Sequence, residues 1–140
     1  MKTSDKGISL IKRYESYSAK AYKCPAGVWT IGWGHTLGVK EGDTCNVEQA
    51  TKLLMEDIAR AEKAVPHNIP QSCFDALVSF AFNLGNANLS SSTLLRKVKA
   101  NHRNPTIRDE FMRWVYCKKV VLPGLVRRRK EEADLYYLDL

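Results

Sequence analysis

The chain has 140 residues, 44% hydrophobic and 26% charged, which predicts one domain spanning residues 1–140 and burying roughly 68% of the unfolded surface, with no need of a disulfide or metal to hold a core. Twenty-two basic against fifteen acidic residues leave a net charge of +7, which points to an anionic partner without choosing among nucleic acid, membrane headgroups and acidic glycan. The composition excludes a disordered, collagenous or coiled-coil chain, and no apolar run approaches the ~18 residues of a membrane span.

Ser4 is a predicted N-cap for a first helix in which Ile8, Ile11 and Tyr14 recur at helical spacing, ending between Glu15 and Tyr17. Ala21 to Lys23 and Val28 to Ile31 are short β-prone runs separated by Cys24, Pro25, Ala26 and Gly27, the pattern of a hairpin. Gly32 to Thr36 suits a tight turn after the second strand, and Val39 with Lys40 is a candidate third strand. From Asn46 the period becomes helical. Asn46 and Gln49 form a potential capping box, and Val47, Ala50, Leu54, Ile58, Ala61 and Val65 make one stripe, stopped by Pro66. The run QSCFDALVSFAFNLG predicts a mostly buried helix closed by Gly85. Ser92 can cap a short helix carrying Leu94, Leu95 and Val98. Asn104 and Pro105 can open another with Ile107, Phe111 and Trp114, and Pro123 precedes a last helix with Leu125, Glu132, Leu135 and Tyr136 near one face. The layout predicts an α+β fold, a small hairpin lobe beside a larger helical lobe with a cleft between them.

The N-terminal MKTSDKGISLIKRY has no continuous apolar segment of the signal-peptide kind. Cysteines stand at 24, 45, 73 and 117 without C-x-x-C spacing, so free thiols are expected, with no metal site and no cofactor. The basic residues concentrate late, around Lys118, Lys119 and Arg127 to Lys130, without a nucleic-acid-binding motif.

Glu15 stands apart from the other acidic residues by its context. It follows Tyr14 at a helix end, just before the hairpin. A carboxyl packed against apolar groups favours its acid form, which is what protonation of a leaving oxygen requires. Eight residues separate Glu15 from Cys24 and five separate Cys24 from Thr30, with Gly-x-Gly-His following. This Glu-x8-Cys-x5-Thr pattern resembles the catalytic signature of the phage-type lysozymes, the endolysin muramidases, in a lambdoid-like branch. FDALVSFAFNLG resembles the family's central helix, and STLLRK and PGLVRRRKE its later ones, so the resemblance extends over nearly the whole chain.

The resemblance implies a lysozyme-like fold and hydrolysis of the β-1,4 bond between N-acetylmuramic acid and N-acetylglucosamine in peptidoglycan, with inversion at the anomeric carbon. It makes Glu15 the proton donor, Cys24 the second catalytic position (Asp in many members) and Thr30 the residue that places the attacking water. It puts Asn83 and the Ser90 to Thr93 segment, with Ser91 and Ser92, along the cleft. His35 becomes a structural histidine, and Arg127 or Arg128 the partner that holds the Glu15 rotamer. The implied partner is the peptidoglycan strand, acted on by a monomer that binds no nucleic acid and does not insert stably into a membrane. The enzyme would accumulate in the host cytoplasm until a membrane lesion releases it to the wall.

Cys24 leaves three readings open. A thiol is a weaker hydrogen-bond acceptor than a carboxylate and is mostly protonated at neutral pH, so a catalytic sulfur needs a lowered pKa, for which Lys20 and Lys23 are the nearby charges. The second reading is a small buried residue at a hairpin turn. The third is a regulatory thiol blocked by a disulfide, although no other early cysteine exists to pair with it. Trp29 and Trp33 read as lobe packing rather than sugar platforms. Arg127 to Lys130 reads as a solvated face with one arginine turned inward. The alternative functions are a lytic transglycosylase, which uses the sugar's own hydroxyl as nucleophile, and a non-catalytic peptidoglycan-binding module.

Overall fold

The computed structural model describes residues 1–140 and places a central helix, α3 (Gln71–Leu84), at the middle of the fold. Residues Ser72 to Ala81 of that helix are all buried. A helix apolar on every side must be enclosed by others. Here α1 (Asp5–Glu15), α2 (Val47–Glu62) and α7 (Pro123–Tyr136) pack around it. The short helices α4 (Asn86–Ser90), α5 (Thr93–Ala100) and α6 (Ile107–Phe111) complete the helical lobe. Phe80, Phe111 and Trp114 meet edge to face within it, with ring centroids 5.5–5.9 Å apart. No helix is long and apolar enough to cross a membrane.

The smaller lobe is the expected hairpin. Strands β1 (Ser18–Lys23) and β2 (Trp29–Gly32) pair antiparallel, Tyr22 opposite Thr30 and Lys23 opposite Trp29, with an irregularity between Ser18 and Tyr22. The predicted strand at Val39 and Lys40 is absent. The Val39 N–H bonds back to Thr36 and the Asp43 carboxylate accepts from the Lys40 N–H, so the segment is spent on turns. A single bridge from Lys20 to Thr44 stands in its place.

The caps are mixed in outcome. Asn46 and Gln49 form the reciprocal capping box at α2, and the Ser92 hydroxyl accepts from the Leu95 N–H at α5. Ser4 occupies the N-cap of α1, but its hydroxyl donates to Asp75 instead of serving the helix end. Val47 departs from the expected stripe and is 59% exposed, because it sits in the solvent-facing first turn. Val65 is buried beyond the end of α2. The helix expected from Asn104 to Trp114 shrinks to five residues. The Asn104 carboxamide accepts from both the N–H and the hydroxyl of Thr106, a local turn that competes with helix.

Two elements escape the sequence pattern. One is α4, a single short helix after Gly85. The other is a second hairpin, β3 (Tyr116–Cys117) with β4 (Val120–Val121), whose two-residue turn is Lys118 and Lys119. Both lysines have positive φ, 50° and 68°. Turns of this type favour Asn-Gly, and a left-handed backbone costs an ordinary residue roughly 1–2 kcal/mol. Replacing the pair by Asn-Gly (Lys118→Asn with Lys119→Gly) is therefore expected to raise unfolding free energy by about 1–2 kcal/mol; urea denaturation measures it.

Candidate active site

Glu15 is the last residue of α1, where the chain turns through Ser16 into the hairpin lobe. Its carboxylate is not set against an apolar wall as its sequence context suggests. Oε2 accepts from Arg128 Nη1 at 2.5 Å, with 17% of the Glu15 side chain exposed. Arg128 thus takes the partner role assigned to Arg127 or Arg128, while Arg127 lies on the exposed face of α7.

Arg128 is itself held. Its Nε donates to Glu132 Oε2 at 3.3 Å, and its Nη2 reaches the backbone oxygen and hydroxyl of Ser79 at 3.4 and 3.3 Å. Ser79 in turn donates to Glu132 Oε2 at 2.5 Å. Arg129 approaches the same carboxylate from the other side. Its Nε is 2.8 Å from Oε1 in a geometry too poor for a hydrogen bond, and its Nη2 bonds Oε2 at 3.3 Å and Asn83 Oδ1 at 2.7 Å. Arg129 and Glu132 are both fully buried. Burial, with repulsion from Arg128, lowers the Arg129 pKa to about 10, against the pull of Glu132 and Glu15. The expected solvated face therefore carries two inward arginines, not one. Of the four residues expected near one face of α7, Glu132 and Tyr136 do face inward. Leu125 and Leu135 are only half-buried, while Arg128, Arg129, Glu132, Ala133 and Tyr136 face inward.

Cys24 begins the turn of the first hairpin, closed by Cys24 N–H to Val28 O at 3.0 Å and Gly27 N–H to Cys24 O at 2.8 Å. Burial pushes its thiol up, but hydrogen bonds from the Val28 and Ala26 backbone, the Thr30 hydroxyl and the Gly27 backbone outweigh this and hold the pKa below the usual thiol value. The source of the shift is thus a ring of turn amides and Thr30, not Lys20 or Lys23. Thr30 is 4% exposed, and its hydroxyl donates to the Val28 carbonyl, 2.9 Å away. Tyr22, opposite Thr30, lies near both candidate groups. Its phenol pKa is raised by burial, by Glu15 and by Cys24. All four cysteines are free thiols.

A groove of about 260 Å³ runs beside Glu15, lined by Gly34, Thr36 and Leu37 on the hairpin-lobe side and by Phe82, Gly85 and Asn86 on the α3–α4 side. Gly34 connects groove and acid. A Cβ there would press on the Glu15 carboxylate, 2.7 Å from its Cδ, and the residue has φ of 76°, so only glycine fits without strain. His35 follows, 8% exposed, with Nδ1 2.8 Å from Asp57 Oδ2 and a backbone bridge to Ile31. It ties the turn to α2, which is a supporting role.

Asn83 is half-buried and turned toward Arg129. Ser91 is exposed and donates to the Ala87 carbonyl. Ser92 is buried and its hydroxyl is engaged at both ends, donating to Leu89 O and accepting from Leu95 N–H. Sequence reasoning missed Arg129, Ser79, Asp57 and Tyr22. The four-residue spacings Ser79–Asn83 and Arg128–Glu132, each on one helix face, were the available signal.

A hairpin lobe and a helical lobe with a buried, arginine-held carboxylate beside a groove define a glycoside hydrolase of the lysozyme class. The chain belongs to the phage lysozyme family, which it matches over residues 12–132. It is 41% identical over 144 residues to an endolysin of Acyrthosiphon pisum secondary endosymbiont phage 1, covering 97% of this chain and 98% of that one. Among solved structures, it is similar to the muramidase domain of SpmX from Asticaccaulis excentricus, with a TM-score of 0.84, 34% identity and 97% of each chain covered. It is also similar to the endolysin from Escherichia coli O157:H7 phage FAHEc1, with a TM-score of 0.86, 31% identity, and 100% of this chain and 96% of that chain covered.

The close approach at Gly34 gives a test of the acid's position. Gly34→Ala is expected to displace the Glu15 carboxylate and lower kcat at least 100-fold, about 2.7 kcal/mol of barrier, while the protein stays folded. Circular dichroism and reducing-end release from peptidoglycan measure the two effects separately.

Proposed function

We propose that the 140 residues form one catalytic domain that hydrolyses the β-1,4 bond between N-acetylmuramic acid and N-acetylglucosamine, with Glu15 as general acid and Cys24 and Thr30 placing the attacking water. The observation that carries this reading is the Glu15 carboxylate fixed by Arg128 through Oε2, with its other oxygen beside Gly34 at the groove wall. Oε1 is free to present a proton to the glycosidic oxygen. As the C–O bond breaks, the leaving sugar takes that proton, and a water on the opposite face attacks the anomeric carbon. That water gives up a proton to the surrounding solvent and hydrogen-bonding groups, so one water is consumed and one new reducing end appears. Cys24 serves as the acceptor that orients the water, helped by a thiol whose pKa is already below the ordinary value.

The enzyme acts as a monomer on glycan strands, and Asn83 and Ser91 border its substrate path. The positive charge favours encounter with an anionic envelope and does not enter the bond-breaking step. As an endolysin it accumulates in the host cytoplasm and reaches the wall when another protein opens the membrane; fractionation of producing cells before lysis tests that stage.

Glu15→Gln is expected to abolish release of reducing ends from purified peptidoglycan. Cys24→Asp keeps or raises turnover, because a carboxylate accepts more hydrogen bonds, whereas Cys24→Ala loses at least tenfold. Iodoacetamide inactivates the wild type, and a lowered pKa means that the rate climbs with pH through a midpoint below the ordinary thiol value of 9.0. Near-normal turnover in Cys24→Ala removes Cys24 from the mechanism. Mass spectrometry that finds anhydro-sugar ends in place of reducing ends replaces hydrolysis by transglycosylation.

A further inference from the structure

Seven basic residues, Arg113, Lys118, Lys119 and Arg127 to Lys130, stand between Glu110 and Glu131, with no acidic residue among them. That stretch alone carries +7, the net charge of the whole chain. Arg113 pairs with Glu110, and Arg128 and Arg129 are buried around Glu132. Lys118, Lys119, Arg127 and Lys130 are exposed and form no ion pair. The proposed bond cleavage uses none of these four.

The second hairpin lies in the middle of this stretch. Tyr116 stands opposite Val121, and Cys117 opposite Val120. Cross-strand partners share a face, so the ribbon carries apolar side chains on both faces. Tyr116, Val120 and Val121 are 59%, 60% and 47% exposed, which leaves both faces open to solvent. At the tip, Lys118 and Lys119 both hold positive φ, a strain that Asn-Gly would relieve. Strain that the local fold does not require points to a use for the residues that bear it. Here it sets ammonium groups on two adjacent residues at the end of an apolar ribbon.

We propose that this hairpin docks on the surface of an anionic phospholipid bilayer, with Lys118 and Lys119 on the headgroup phosphates and Tyr116, Val120 and Val121 against the acyl boundary. The two kinds of side chain together select the occupant. A phosphate-bearing wall polymer would satisfy the lysines and leave the apolar side chains in water. A second copy of the chain would cover the valines but bring like charges together, since each copy carries +7. A bilayer surface supplies both layers, anionic outside and apolar just beneath. Arg127, exposed on α7 and lying against Gly124, adds to the attraction. The contact is peripheral and reversible, because strands of two residues fall far short of the ~9–11 that cross a membrane. This inference stands apart from the muramidase reading, and its test contains no glycan.

The experiment is co-sedimentation with vesicles of phosphatidylglycerol and phosphatidylethanolamine, against vesicles of phosphatidylcholine alone. It is run in about 0.1 M salt, where the screening length is about 10 Å. The wild type is expected to bind the first and not the second. Lys118→Asn with Lys119→Gly suits the turn and so keeps the fold. Its Kd is expected to rise roughly twentyfold, since one lysine near an anionic surface is worth roughly fivefold. Val120→Thr with Val121→Thr keeps the charge and the β-branched strand and is expected to weaken binding at least threefold, on the order of one lost methyl contact. Lys6→Gln with Lys52→Gln removes the same charge from exposed positions on α1 and α2 and is expected to change Kd less than about twofold. Equal losses in the two lysine pairs overturn the proposal in favour of net charge. Full binding by the threonine pair overturns it in favour of a phosphate contact alone. Wild-type protein that stays in the supernatant with anionic vesicles overturns it outright.

Discussion

The Glu132 carboxylate is the point on which the helical lobe and Glu15, the proposed acid, both depend. It is fully buried and gathers Ser79 from α3 and Arg128 and Arg129 from its own helix around two oxygens. Arg128 then reaches across to Glu15 at the end of α1, and Arg129 to Asn83 near the end of α3. One buried anion thereby ties α7 to α3 directly and to α1 through Arg128, and holds the side chains that grip Glu15 and Asn83. Removing an ion from water costs several kcal/mol, and attraction within the protein repays it only with good geometry. The geometry here is incomplete, since Arg129 Nε and Nη1 and Glu132 Oε1 lack hydrogen bonds. A well-packed apolar cluster of similar volume would stabilise the lobe at least as well. The cluster is therefore better explained by what it positions than by the stability it adds.

The hairpin lobe solves a different problem, gathering short polar groups with few residues. Its turn points backbone amides at the Cys24 sulfur, and Thr30 adds a hydroxyl from the facing strand. Gly34 lets the chain pass directly over Glu15, and His35 fastens that passage to α2 through Asp57. The proposed acid thus comes from the end of α1 and the proposed water-placing groups from the hairpin, with Gly34 packed directly on the Glu15 carboxylate.

Much of this was legible in the sequence where local chemistry and tertiary packing agree. The first hairpin, the α2 capping box, the apolar α3 and the Ser92 cap all follow from turn residues and periodicity. Glu15, Cys24 and Thr30 came from their spacing together with a family resemblance, since no residue type alone singles them out. The rest failed where a side chain found a tertiary partner that sequence does not display. Ser4 bonds Asp75 across 71 positions, and Arg129 reads as one of a solvated basic run until Glu132 and Asn83 are seen beside it. The second hairpin was hidden because its turn uses two lysines in place of the usual Asn-Gly. Val39 and Lys40 have strand propensity, but the Thr36 carbonyl and the Asp43 carboxylate bind their amides locally.

The most direct test of the central claim is the turnover number of Glu132→Gln, measured on folded protein at a temperature where circular dichroism matches the wild type. If the buried carboxylate aims Arg128 and through it Glu15, kcat for reducing-end release falls at least tenfold while KM changes little, because Glu132 lies behind the groove and touches no substrate. Wild-type kcat in the folded variant would contradict the account and leave Arg128 able to hold the acid unaided.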